Sequence, residues 1–229
     1  MKKHTHLGPQ LFDFLRDLRN HNDREWFHAN KQRYERDVRD PLLAFIGDAA
    51  APLARISREV LADPRPTGGS LFRVYRDTRF SKDKTPYKTH AAAQFRHRAG
   101  KDVHAPGFYV HLEPGDVFVG AGLWRPESEP LRAVRTAIAT RPLDWKRVLA
   151  APAFKKLCTL EGESAKRPPQ GFDPDHALID DIRRKDFIAV ARFKEAEAIR
   201  PGFLDAVITA CRAAAPLNAF ICRALGHPW

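Results

Sequence analysis

The chain has 229 residues, 43% hydrophobic and 29% charged, a balance that supports a folded core and argues against extended disorder. Its 39 Lys and Arg against 28 Asp and Glu leave a formal charge of +11, which favours anionic partners: nucleic acid, phosphorylated metabolites or acidic surfaces. Cys158, Cys211 and Cys222 lack the close paired spacing of a zinc knuckle or redox motif and read as free cytosolic thiols. The polar first seven residues are not a secretory signal. Charges interrupt the apolar runs before the roughly 20 residues of a membrane span, so a cytoplasmic protein without membrane contact is expected.

Gly8-Pro9 opens a helix in which Leu11, Phe14, Leu15 and Leu18 recur at helical spacing, ending near Asn20. Asn22 or Asp23 caps the next helix, with Glu25 three residues after Asn22 resembling a capping box. Trp26, Phe27, Tyr34 and Val38 share its broad inner face. Asp40-Pro41 restarts a helix that carries Leu42, Phe45, Ile46, Ala49, Leu53, Ile56 and Val60, kinked or divided at Pro52. The Pro- and Gly-containing residues 63–69 then deliver the chain into a strand over 71–77, with Phe72 and Val74 on one side and Arg73, Tyr75 and Asp77 on the other.

Residues 78–89 lose apolar periodicity and contain Pro86, so they read as a loop. Strands follow over 91–96 and 107–113, with loop composition over 98–106. Glu113-Pro114-Gly115-Asp116 is a tight turn between two alternating runs. It predicts the pairs Leu112 with Val117, Val110 with Val119 and Phe108 with Ala121 on one apolar face. The opposite face holds Tyr109, His111, Glu113, Phe118, Gly120 and Gly122, and the two glycines predict a shallow groove there. Helices are expected over 126–139, 143–149 and 153–157, an exposed connection over 159–173, and a short helix over 175–184. A last strand covers 186–192, and helix on both sides of Pro216 completes the chain. Strands grouped between blocks of helices make this an α+β fold, a mainly antiparallel sheet packed against helices in a single domain.

The residues also carry a resemblance. The Trp26-Phe27 helix with Tyr34, Arg76-Asp77 through Lys84, Pro86-Tyr87-Lys88, the 120–126 segment and Arg183-Arg184-Lys185-Asp186-Phe187 together resemble the bacterial and fungal family catalogued as domain of unknown function 2461. That resemblance spans nearly the whole chain and implies a single domain. It carries over no catalytic residue, substrate or cofactor.

Function is therefore read from the side chains. Six Lys or Arg face two Asp across residues 71–90, and clustered positive charge calls for an anion, a carboxylate or solvent. The reading that follows is a phosphate- or carboxylate-bearing small ligand held by Arg73, Tyr75, Arg76, Arg79, Ser81, Lys82, Lys84, Tyr87 and Lys88, over the sheet face bearing Tyr109 and His111. The competing picture is a solvated turn with local ion pairs to Asp77 and Asp83. Nucleic-acid binding or an acidic protein partner are the alternatives, the former supported by charge without a recognition module. No metal is expected: His90, His97, His104 and His111 fall seven residues apart, and an odd interval alternates strand faces. No phosphate loop, dinucleotide fingerprint or nucleophile elbow occurs, so no cofactor is expected. His111 is the one candidate acid or base, and whether the protein is an enzyme stays open at this point.

Overall fold

The computed structural model describes residues 5–79, 81–100 and 106–229. Helix α1 (Pro9–Asn20) starts at proline, whose missing N–H is harmless in a first turn, and buries Leu11, Phe12, Phe14, Leu15 and Leu18. Helices α2 (Arg24–Ala29) and α3 (Lys31–Tyr34) continue through a π-helical turn at Glu35–Arg39 into α4 (Asp40–Ala54). Asp23, not Asn22, caps α2, its carboxylate accepting the Trp26 N–H at 2.8 Å. Asn22 is used elsewhere, as described below.

Helix α4 stops at Ala54, two residues after Pro52, instead of running to Val60. Pro52 removes a donor near the end, and Val60 bridges His97 while the Leu61 N–H donates to the Arg96 carbonyl at 3.0 Å. Tertiary pairing captured that stretch from the helix.

Strands β1 (Ala91–Arg96), β2 (Gly107–Glu113), β3 (Asp116–Leu123), β4 (Thr159–Glu161) and β5 (Phe187–Phe193) form an antiparallel sheet in the order β1-β2-β3-β5-β4. The β2–β3 turn sets Leu112 opposite Val117, Val110 opposite Val119 and Phe108 opposite Ala121, as the alternation predicts. β4 lies within the stretch expected to be a plain connection. Three residues are too short to show a period, and only pairing with β5 makes them a strand.

Helices α5 (Ser128–Thr140), α6 (Pro142–Ala150) and α7 (Pro152–Leu157) come next, then the short α8 (Ile179–Ile182) and α9 (Glu195–Ala198), and last α10 (Phe203–Ala224). Their buried faces join the apolar sheet face in a core running from Leu7 to Ile221. Rings link the layers: Phe45 of α4 and Phe193 of β5 meet Phe203 of α10 at 6.1 and 5.5 Å, and Trp145 of α6 meets Phe187 and Phe220 at 5.8 and 5.2 Å. The fold is α+β, as expected.

By length and composition α10 could cross a membrane, with a mean hydropathy of 1.3 over its best window. That departs from the expectation that charges break each apolar run first. Its Val207, Cys211, Leu217, Phe220 and Ile221 are nevertheless fully buried in the core, which accounts for the apolar composition. Cys222 is likewise buried, whereas Cys158 is partly exposed.

Candidate functional site

Residues 71–79 and 81–90 make the two arms of an irregular hairpin, the second running directly into β1. The first arm is extended and pairs with its neighbours through the isolated bridges Leu71–Ala93 and Tyr75–Tyr87 rather than along a continuous ladder. The expected strand over 71–77 is thus realised as an edge arm, with Val74 buried and Arg73, Tyr75 and Asp77 outward. Charged, irregular edges of this kind resist pairing with other chains. The hairpin is anchored to α2: Tyr87 stacks on Phe27 at 4.1 Å, and Tyr75, 54% exposed, lies 5.5 Å from Tyr87. Asn22 grips the backbone of Tyr87 from both sides, donating to its carbonyl and accepting its N–H, each at 3.0 Å.

Much of the hairpin's positive charge is spent within it. Arg76 pairs with Asp83 and Thr85, and Arg79 grips Asp77 through two contacts of 3.0 and 2.7 Å. Hydrogen bonds from these arginines are the leading reason that both Asp77 and Asp83 are held down at about 2. Lys84 donates to the Thr78 carbonyl at 2.9 Å, and the Ser81 N–H reaches the same oxygen at 3.4 Å, while Lys82 is exposed. Phe80 and His104 lie outside the described residues.

Lys88 and Arg73 behave differently. The half-buried Lys88 ammonium donates to the Arg73 carbonyl at 2.9 Å and sits 5.2 Å from the Phe72 ring. Burial first, and the Arg73 guanidinium second, push the Lys88 pKa down. Among the described residues, no ion pair joins Lys88 or Arg73 to a carboxylate. Phe72 packs edge-on against Tyr109 at 5.9 Å, so this cation pair adjoins the polar sheet face.

On that face Tyr109, His111 and Glu113 project together from alternate positions of β2. The Tyr109 hydroxyl meets His111 Nδ1 at 2.9 Å, and His111 Nε2 lies 3.3 Å from Glu113 Oε2. The other Glu113 oxygen accepts from Thr89 at 3.0 Å and from Arg19 of α1 at 2.9 Å. Burial works to raise the Glu113 pKa, but the hydrogen bonds from Thr89 and His111 outweigh it and the carboxyl ends below its ordinary value. His111 is only 8% exposed and stacks on Phe118 at 4.7 Å. Burial also drives the Tyr109 phenol well above its usual range.

The fourth member is His90, whose ring is 4.6 Å from that of His111. Burial above all, then the neighbouring His111, drops its pKa to about 4. A seven-residue interval alternates faces only along one strand. His90 and His111 meet because β1 pairs with β2, with Ala91 opposite Leu112. His97 is instead buried, bonded to the Pro228 carbonyl at 2.7 Å.

The glycines divide. A Cβ added to Gly120 would rest on Tyr109 and Ile188 at 3.8 and 3.9 Å, ordinary contact distances, so those two side chains flank the position where the groove is expected. Gly122 has φ 126° and would drive a Cβ into the Phe187 carbonyl, so it serves close strand approach. A cavity of about 160 Å³ opens further along, lined by Ser70, Leu71, Phe72, Gln94 and Arg96. It shares Phe72 with the Lys88 site but not the histidines.

Residues 10–220 match the family described as a conserved hypothetical protein, DUF2461. The chain belongs to that family. Within it, the basic stretch at 183–187 is structural here. Asp186 accepts the Arg125 N–H at 2.6 Å and the Glu163 N–H at 3.3 Å, Arg184 pairs with Asp181 at 3.2 Å, and Asp181 accepts the Trp145 indole N–H at 2.8 Å. The chain is also 29% identical over 167 residues to a methionyl-tRNA formyltransferase of Clavibacter michiganensis subsp. michiganensis, a match covering 67% of this chain and 48% of that protein. The similarity thus spans about half of the relative's length.

Proposed function

We propose that this protein binds a phosphate- or carboxylate-bearing ligand at the Arg73–Lys88 pair beside Phe72. One observation carries the reading: a half-buried ammonium has the Arg73 backbone carbonyl as its hydrogen-bond partner, while the charge of the Arg73 guanidinium helps to lower its pKa. An anion there would relieve the like-charge repulsion and gain charge-assisted hydrogen bonds. Arg76 and Arg79, already paired within the hairpin, are supports of its shape rather than ligands. Calorimetric titration with inorganic phosphate and with citrate tests this. Lys88→Ala and Arg73→Ala each weaken binding about tenfold, the scale of one charge-assisted hydrogen bond, while Arg79→Ala leaves it unchanged. Equal affinity in all three variants defeats the assignment.

Nucleic acid is the second reading, favoured by the +11 charge and by a relative whose name specifies a methionyl-tRNA substrate. Its signature is binding of labelled tRNA that weakens steeply with salt. A phosphate-only site lacks that slope.

A further inference from the structure

We propose that His90, His111 and Glu113 form a binding site for one divalent transition-metal ion of the zinc, cobalt or ferrous type. The inference goes beyond the anion reading and stands on different residues. One donor atom from each of the three lies within 4.8 Å of the others. Coordination at about 2.1 Å needs these donors somewhat closer, a closure of about 1 Å. Two imidazoles and one carboxylate suit zinc or ferrous iron and not the all-oxygen sites of magnesium or calcium.

The surroundings are those that orient metal ligands. His111 Nδ1 is engaged by the Tyr109 hydroxyl at 2.9 Å, which leaves Nε2 as the inward donor, and Phe118 holds the ring plane from one side. Glu113 Oε1 is occupied by Thr89 and Arg19, so Oε2, 3.3 Å from His111 Nε2, is the oxygen presented to an ion. Such outer contacts set tautomer and orientation. A purely structural histidine on this face would be satisfied by Tyr109 and Glu113 alone. The convergence of His90 from the preceding arm is what a metal explains. Three protein ligands leave a coordination position for water or for a ligand oxygen.

The test uses the full chain, stripped with a chelator and titrated with Zn²⁺ by calorimetry and with Co²⁺ by visible absorption. One equivalent binds, and Co²⁺ develops the d–d bands of a nitrogen–oxygen site. His90→Ala and Glu113→Gln lower affinity at least 100-fold, and Tyr109→Phe lowers it about tenfold through loss of the outer contact. Circular dichroism confirms folding, and should His90→Ala unfold, Glu113→Gln and Tyr109→Phe decide. Absence of binding by the wild type, or unchanged affinity in the folded variants, overturns the site. Phosphate affinity of the metal-free protein is measured separately, so failure here leaves the Arg73–Lys88 reading untouched.

Discussion

Two glycines two residues apart on β3 are expected to respond to alanine with opposite signs. At Gly122 a Cβ collides with the Phe187 carbonyl and lies 3.0 Å from its carbon and 3.3 Å from Ile188 Cα, all backbone of the paired strand β5, and φ is 126°. Forcing an L side chain into that conformation costs about 2 kcal/mol. Displacing a paired strand costs a further amount of about 2 kcal/mol. For a chain of this size the total of about 4 kcal/mol lowers the melting temperature by about 10 °C. At Gly120 the same atom meets Tyr109 and Ile188 at ordinary contact distances. There alanine lowers the entropy of the unfolded chain and stabilises by about 0.5 kcal/mol. Thermal and urea melts of Gly122→Ala and Gly120→Ala, monitored by tryptophan fluorescence, read both. If Gly122→Ala melts within about 2 °C of wild type, or the two variants fall together, the close-approach account of β3 and β5 is wrong.

Asn22→Ala leaves the Tyr87 N–H and carbonyl without their side-chain partner and costs about 2 kcal/mol, with limited proteolysis of the hairpin as the sharper readout. Trp145→Phe keeps the buried ring but loses the indole hydrogen bond to Asp181, lowering stability in urea by about 1–2 kcal/mol. Asp83 has a folded pKa depressed from 3.8 to about 2, so its contribution is complete above pH 3.8 and is lost as pH falls toward 2. Asp83→Asn therefore loses less stability than wild type across that interval, measured by urea midpoints.

Local information determined more of the scaffold than of the site. The β2–β3 register was legible because a Pro-Gly turn and a strict two-residue alternation admit one pairing that buries Phe108, Val110 and Leu112 together. Helices α1, α5, α6 and α10 were legible from apolar spacing for the same reason: a single face had to be hidden. The hairpin's charge was visible, but whether Arg76 and Arg79 faced a ligand or Asp83 and Asp77 depended on how 71–90 folded back, which no periodicity encodes. β4 exists only through β5. Thr89-His90 and Arg19 reach Glu113 from two separate parts of the chain, because the pairing of β1 with β2 and the docking of α1 are non-local. Joining β1 to β2 sets no register by itself, so burial of the shared core selected it. That selection, absent from any single stretch of sequence, is what gathers two histidines and a glutamate beside a basic hairpin.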